Sequence, residues 1–375
     1  MPNLLMIDNW SLEEVCGLLL GGVSTRSIKD IAFDKRKQRH RFRNIPESNI
    51  QFDALLQLLS DIVLRDELIV DDRFATGWCF PFSPMLPVQS ESVVKLHPFL
   101  SSAAQLDQPR KILLGELCIT QSLRDLQKQN EVLWQEKRQL KDGRFSAIVC
   151  GGAGMLARSH IFQMPYTGHL LRQRLIKETA LIAPRVSATD KVMEVINTER
   201  TRLFQQIGTS DVRTYANFNL PPVAVQVINN SRTAVELIPV AIQLRDKYSK
   251  LRKWLTTYEK AYADENTKQL IKHKKKLDSV AKSINALQDS KSGGTTNLSI
   301  GVSWLRLSWS ANPLNDFQNK FGVRAAILKL ILASQGKTAF KKLLSFFGEE
   351  NSKLGRDIYK TFAERSTGYE RADSD

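Results

Sequence analysis

Residues 145–177 read FSAIVCGGAGMLARSHIFQMPYTGHLLRQRLIK. An apolar run, a glycine pair, a small-residue segment, Met164-Pro165-Tyr166 and a basic amphipathic run succeed one another here. Two readings compete. In one, residues 146–149 are a strand and Gly152-x-Gly154-x-x-Ala157 is the variant dinucleotide fingerprint, whose glycines bring the backbone close to a pyrophosphate at a helix N-terminus. Pro165 would cut that helix short, and no strand ending in an acid stands about 20 residues further on, since Glu178 lies in a helix-like run. In the other reading, glycine and alanine let helix backbones approach closely. We take the second, and with it a mainly α fold: a multi-helix assembly with minor β strands and a long helix or helical hairpin in the C-terminal half.

The same stretch holds the candidate catalytic residues His160, Tyr166, His169 and Arg172. A helix after Tyr166 puts His169 and Arg172 on one face at i and i+3. Such a pair suits anion binding or acid–base chemistry, although lone histidines are more often satisfied structural groups.

Outward from this centre the chain divides into an N-terminal helical region with a basic segment (1–92), a central helical region around the glycine turn (93–220), the long helix or hairpin (221–292), and a strand followed by amphipathic helices (293–375). Ser11 with Glu14 reads as a capping box for a helix that stops at Gly21-Gly22. The densest basic run follows, with Lys35, Arg36, Lys37, Arg39, Arg41 and Arg43 flanked by Phe33 and Phe42. Residues 50–70 read as a helix through Leu55, Leu58, Leu59 and Ile62, and then a β-like Leu68-Ile69-Val70. A proline-rich loop over 79–92, a helix over 111–141 and another over 188–208 come next. Thr233 with Glu236 is a second capping box. It opens a periodic segment carrying a second basic cluster, Lys272, Lys274, Lys275 and Lys276, beside His273. Residues 298–304 alternate like a strand.

The bulk numbers fit an anionic partner. The chain has 375 residues, a formal charge of +15 and a pI near 9.6. Such an excess favours nucleic acid, a membrane surface or an acidic protein. Scattered Cys16, Cys79, Cys118 and Cys150 form no CxxC pair, so no zinc ribbon is visible and a reducing compartment is expected. No HExxH, GxSxG or P-loop occurs. Asp61, Asp66, Asp71 and Asp72 form an acidic cluster that could hold Mg²⁺, but Asp61 and Asp66 stand about 140° apart on a helix, and surface charge or capping explains them as well. Residues 323–347, with Ile327, Leu330, Phe340 and Leu344 among Lys329, Lys337 and Lys341, suit either an interfacial membrane helix or a helix pair in the core; we favour the core. No stretch is long and apolar enough to span a bilayer, and the apolar N-terminus lacks a basic n-region, so a cytoplasmic protein is expected.

Gly151 and Gly152, then Pro165-Tyr166 and Arg172 six residues after the tyrosine, resemble an uncharacterised family of bacterial cytoplasmic proteins. The stretches 66–78 and 244–255 are similar to the same family. The resemblance implies only a bacterial cytoplasmic origin.

We therefore expect a non-enzymatic binding or regulatory protein for a polyanion, foremost nucleic acid, as a subunit of a bacterial defence or mobile-element system. No cofactor is expected. A protein partner or homo-oligomer is compatible with the sequence. The alternatives are an enzyme (a metal-dependent nuclease, or His/Arg-based phosphate-ester chemistry) and a peripheral membrane effector acting through residues 323–347.

Overall fold

The computed structural model describes residues 4–34, 36–71, 87, 91, 93–97, 103–135, 143–161, 166–182, 223–249, 252–253, 256–257 and 334–348. Of these, 67% are helical, as a mainly α reading requires. The helices, however, are arranged about a parallel sheet. Its strands are β1 (Leu4–Ile7), β4 (Glu67–Asp71), β5 (Val94–His97) and β6 (Tyr166–Thr167), in the order β5-β4-β1-β6, with every neighbouring pair parallel. The sheet thus draws strands from both sides of residue 92.

Side chains alternate across these short strands. Leu5, Ile7, Leu68 and Val70 enter one core cluster, while Met6 and Ile69 enter the other. A strand covered on both faces reads as an unbroken apolar run. The first face carries α1 (Asn9–Gly21) and α2 (Glu47–Leu64). Outside them pack α7 (Val223–Asn230), α8 (Leu237–Lys247) and α9 (Ser334–Ser345). Nearly every residue of α2 is buried, the pattern of a helix enclosed on all sides. The second face carries α3 (Ala103–Leu117), α5 (Gly151–Ile161) and α6 (Leu170–Ile182). Between α1 and α2 the chain makes an antiparallel hairpin of β2 (Ser27–Asp34) and β3 (Arg39–Pro46), and α4 (Gln121–Gln135) packs against β3.

Several expectations are revised. Residues 146–149 are not a strand: Ser146–Cys150 is a π-helical turn running directly into α5. The glycines of the supposed fingerprint therefore lie within a helix and form no phosphate loop. The N-cap of α1 is Asp8, whose side chain accepts from the Trp10 amide, and Ser11 lies inside the helix. Thr233 makes no side-chain cap; Glu236 instead accepts from the Arg232 amide at 2.7 Å. Of the helix expected over 111–141, residues 136–141 lie outside the described residues; the rest is two helices, parted at 118–120, where Thr120 caps α4. Of residues 323–347, those from Ser334 on are described, and Phe340, Leu343 and Leu344 are buried in the core with Phe340 edge-on to Phe52. Among the described residues no helix is long and apolar enough to cross a membrane. The loop over 79–92 apart from residues 87 and 91, the helix over 188–208 and the strand over 298–304 lie outside the described residues.

The C-terminus of α2 is closed from a distance. Arg245 of α8 donates to the carbonyls of Ile62, Arg65 (3.0 Å) and Asp66 (2.8 Å), and Arg252 to that of Val63 (3.2 Å). The last carbonyls of a helix lack partners within it, and cations are favourable there. Two stretches singled out in the sequence, around Asp66 and from Leu244 onward, are thus joined. Arg245→Ala is expected to destabilise the protein by about 2–4 kcal/mol, because partly buried carbonyls lose a charged donor. Arg245→Lys, with one donor centre for three carbonyls, is expected to recover less than half. Urea denaturation of both variants checks this.

Candidate functional site

In the sheet order, β4 and β5 extend to one side of β1 while β6 returns to the other. The reversal falls between β1 and β6. In open α/β sheets, ligands bind beyond the carboxyl ends of the strands at such a reversal. Asp8 stands there, directly after β1, with no solvent exposure.

Four donors converge on its carboxylate. Oδ1 accepts from the Trp10 amide at 3.0 Å and from Arg172 Nη1 at 2.6 Å. Oδ2 accepts from the His169 amide at 2.9 Å and from the Tyr166 hydroxyl. The Asp8 amide in turn donates to Thr167 O at 2.9 Å. Burial, and then the adjacent Asp8 charge, hold the Tyr166 hydroxyl well above the ordinary tyrosine value, so Tyr166 keeps its proton and donates it. Arg172 also donates from Nε to Ala147 O in the π turn at 2.8 Å, and its guanidinium lies 5.3 Å from the Trp10 ring. A Cβ on Gly151 would collide with the Arg172 guanidinium. The bare backbone at Gly151 therefore opens the lane through which Arg172 reaches Asp8.

His169 is wholly buried and stacks on Trp10, with ring centroids 3.8 Å apart and planes within 3°. Its Nδ1 accepts from the Leu171 amide at 3.3 Å, and its Nε2 lies 3.7 Å from Glu14 Oε1. Burial, reinforced by the charges of Glu47 and Glu13, pushes the Glu14 carboxyl up to about 8.

Of the catalytic candidates, Tyr166, His169 and Arg172 are brought together. His160 falls in α5, and its side chain lies outside the described set. The three are organised by Asp8 and Trp10, which the sequence reading passed over, and by Glu14, which it took for half of a capping box. The available signal was a short apolar run ended by an acid immediately before a helix. Chemically the cluster is committed: with two donors on each oxygen, Asp8 has little capacity left as a base or a metal ligand.

The acidic cluster disperses. Asp61 is buried in α2, Asp66 faces Thr256 and Arg252, and Asp71 pairs with Arg158 at 3.0 Å in a nearly buried bridge. Asp72 lies outside the described residues. Among the described residues no group of three His, Cys, Asp or Glu could hold a metal ion; Asp66 and Asp71 are each turned to an arginine instead.

The basic run is the second feature. It forms the hairpin, with Arg36, Lys37 and Arg39 exposed at or beside its tip. Arg41 reaches Asp34 at 3.5 Å with 61% of its side chain exposed. Arg43 is drawn inward instead: it donates to the wholly buried Asp30 at 3.0 Å, which also receives Arg174 at 2.9 Å. Arg43 is thus tied to a buried partner, with 39% of its side chain exposed against 61% for Arg41. Asp34 shapes the turn, its Oδ1 accepting from the amides of Arg36 (3.1 Å) and Lys37 (3.3 Å). Slight burial alone would raise Asp34, but those amides and the Arg41 charge hold its carboxyl below the ordinary aspartate value. Lys35 and the second cluster, Lys272, Lys274, Lys275 and Lys276, lie outside the described residues.

No family model, no curated protein and no solved structure matches the chain.

Proposed function

We propose that the protein binds a polyanion, nucleic acid foremost, through the tip of the β2–β3 hairpin. The observation that carries the reading is the exposure of Arg36, Lys37 and Arg39 around a turn braced by Asp34, with Arg41 beside them. Exposed cations supply the sequence-independent part of nucleic-acid affinity, and two-stranded ribbons reach into nucleic-acid grooves. A second reading, an enzyme at the Asp8 cluster, is favoured by its place where the strand order reverses. The four donors on Asp8 and the Arg158 partner of Asp71 weigh against it.

The test is binding of labelled DNA and RNA oligonucleotides as a function of salt. The triple variant Arg36→Glu, Lys37→Glu, Arg39→Glu changes exposed residues and is expected to leave the melting temperature unaltered. It is expected to lose at least about 100-fold in affinity, and the logarithmic salt slope is expected to fall by about 2–3, close to one for each phosphate no longer neutralised. Undetectable binding by the wild type at low salt, or equal binding by the triple variant, defeats the proposal.

A further inference from the structure

We infer that Arg43 and Arg174, gathered on the buried Asp30, form a second phosphate-binding subsite at the base of the hairpin, so that one nucleic-acid strand lies along β3 from the tip to α6. This rests on the reading of the tip as a nucleic-acid contact and extends it to Arg174, a residue far from the basic run in sequence. The strand pairing sets Arg39 opposite Asp34, Arg41 opposite Ala32 and Arg43 opposite Asp30. Residues directly opposite share a face, and alternate residues along a strand return to it. Arg39, Arg41 and Arg43 therefore stand in one row, about 7 Å from each to the next. Arg174 of α6 reaches the end of that row.

Asp30 is wholly buried, and its Oδ2 accepts from Arg43 Nε at 3.0 Å and from Arg174 Nη1 at 2.9 Å. Both donors end on the same oxygen, so the two guanidiniums are neighbours. One carboxylate between two guanidiniums leaves positive charge in excess, and like charges this close are stabilised by a further anion. Both side chains reach solvent, Arg174 with 27% of its side chain exposed. Arg43 spends its Nε on Asp30. The forked edge formed by its two Nη groups holds the remaining donors, and such a fork matches two oxygens of a phosphate. Asp30 is thus a positioning residue: it fixes where the guanidiniums stand before a ligand arrives and touches no phosphate itself. A row of cations at regular spacing suits a chain of regularly repeated charges, as a phosphodiester backbone is, better than carboxylates scattered over a protein surface.

The experiment titrates the full chain with labelled DNA and RNA oligonucleotides over a range of salt. It compares the wild type with Arg43→Gln, Arg174→Gln, Arg43→Lys and Lys29→Gln. Each glutamine change at the subsite leaves Asp30 its other arginine, so the fold is retained, as a cooperative melt checks. Arg43→Gln and Arg174→Gln are each expected to weaken binding about 5- to 20-fold and to lower the logarithmic salt slope by about 1. Arg43→Lys keeps the charge but not the fork, and is expected to recover less than half of that loss on a logarithmic scale. Lys29 is exposed on the opposite face of β2, and Lys29→Gln is expected to change the affinity by less than about twofold. Wild-type affinity in either glutamine variant of the subsite, full recovery by Arg43→Lys, or an equal loss in Lys29→Gln overturns this inference while the dependence on Arg36, Lys37 and Arg39 survives. Absence of wild-type binding to either oligonucleotide overturns both readings.

Discussion

Asp8→Ala is expected to cost about 3–5 kcal/mol of folding stability, a large share of the roughly 5–15 kcal/mol available to a domain. The size follows from what the substitution strands. Arg172 is 7% exposed and its anionic partner is Asp8 at 2.6 Å. Without that carboxylate a guanidinium stays buried with its counter-charge gone, and Tyr166 loses its acceptor. The N-terminus of α1 also loses its cap, itself a loss of about 1 kcal/mol. Asp8→Asn separates charge from shape, since it keeps an oxygen acceptor but removes the charge, and is expected to recover about a third of the loss. The double variant Asp8→Ala, Arg172→Ala is expected to be more stable than the sum of the two single losses by about 1–3 kcal/mol, because neither partner is then stranded. Urea unfolding of the double variant and its two parents decides the matter; strict additivity would show that the two groups do not act as a pair. Tyr166→Phe removes one hydrogen bond to a charged acceptor and should sit lower, at about 1.5–3 kcal/mol.

What could and could not be read from the sequence follows from the range of the interactions involved. The stop of α1 at Gly21-Gly22 was legible because Gly22 adopts φ +77°, a conformation few other residues accept. Strand β4 was legible from Leu68-Ile69-Val70, and α2 from its leucine spacing. Close packing at the glycine pair was legible as a type of contact, but not its partner, because Arg172 stands 21 residues beyond Gly151 and reaches it only through the turn of the chain at β6. Strand β1 was hidden because four residues covered on both faces show no alternation. The β-branched pair Ile148-Val149 imitated a strand; the π turn there meets Arg172, whose Nε donates to Ala147 O. The hairpin was hidden by its charges. Asp30 sits in the middle of β2, where an acid argues against a strand, and is tolerated because Arg43 crosses from β3 and Arg174 arrives from 144 residues away. Asp8 is the extreme case, with three of its donors 158 to 164 residues distant.

Glu14→Gln is expected to make the protein more stable than the wild type at alkaline pH and no different in acid. The Glu14 carboxyl shifts from an ordinary 4.5 to about 8, chiefly because it is buried. The unfolded chain releases this proton near 4.5 and the native state keeps it to about 8. Between those values the native state binds one proton more than the unfolded state, so stability falls as pH rises through the window and the contribution is fully present only below it. The whole shift corresponds to about 4–5 kcal/mol; with relaxation and water penetration around the ionised carboxylate, about 2 kcal/mol is the expected loss by pH ~8.5. Glutamine has nearly the same size and cannot ionise, so the variant escapes that loss. His40 titrates with the opposite sign. Its folded value near 4 lies below the ordinary 6.5, so its contribution is fully present above 6.5 and disappears as pH falls toward 4. A raw stability profile of the wild type mixes the two slopes. The difference between wild type and Glu14→Gln at each pH cancels His40 and isolates Glu14. That difference, from thermal or urea unfolding, should be within about 0.5 kcal/mol of zero at pH ~5 and about 2 kcal/mol in favour of the variant at pH ~8.5. A difference that stays constant across the window would mean that Glu14 titrates no differently in the folded and unfolded chains, and that the contact between α1 and His169 is held by the stacking on Trp10 alone.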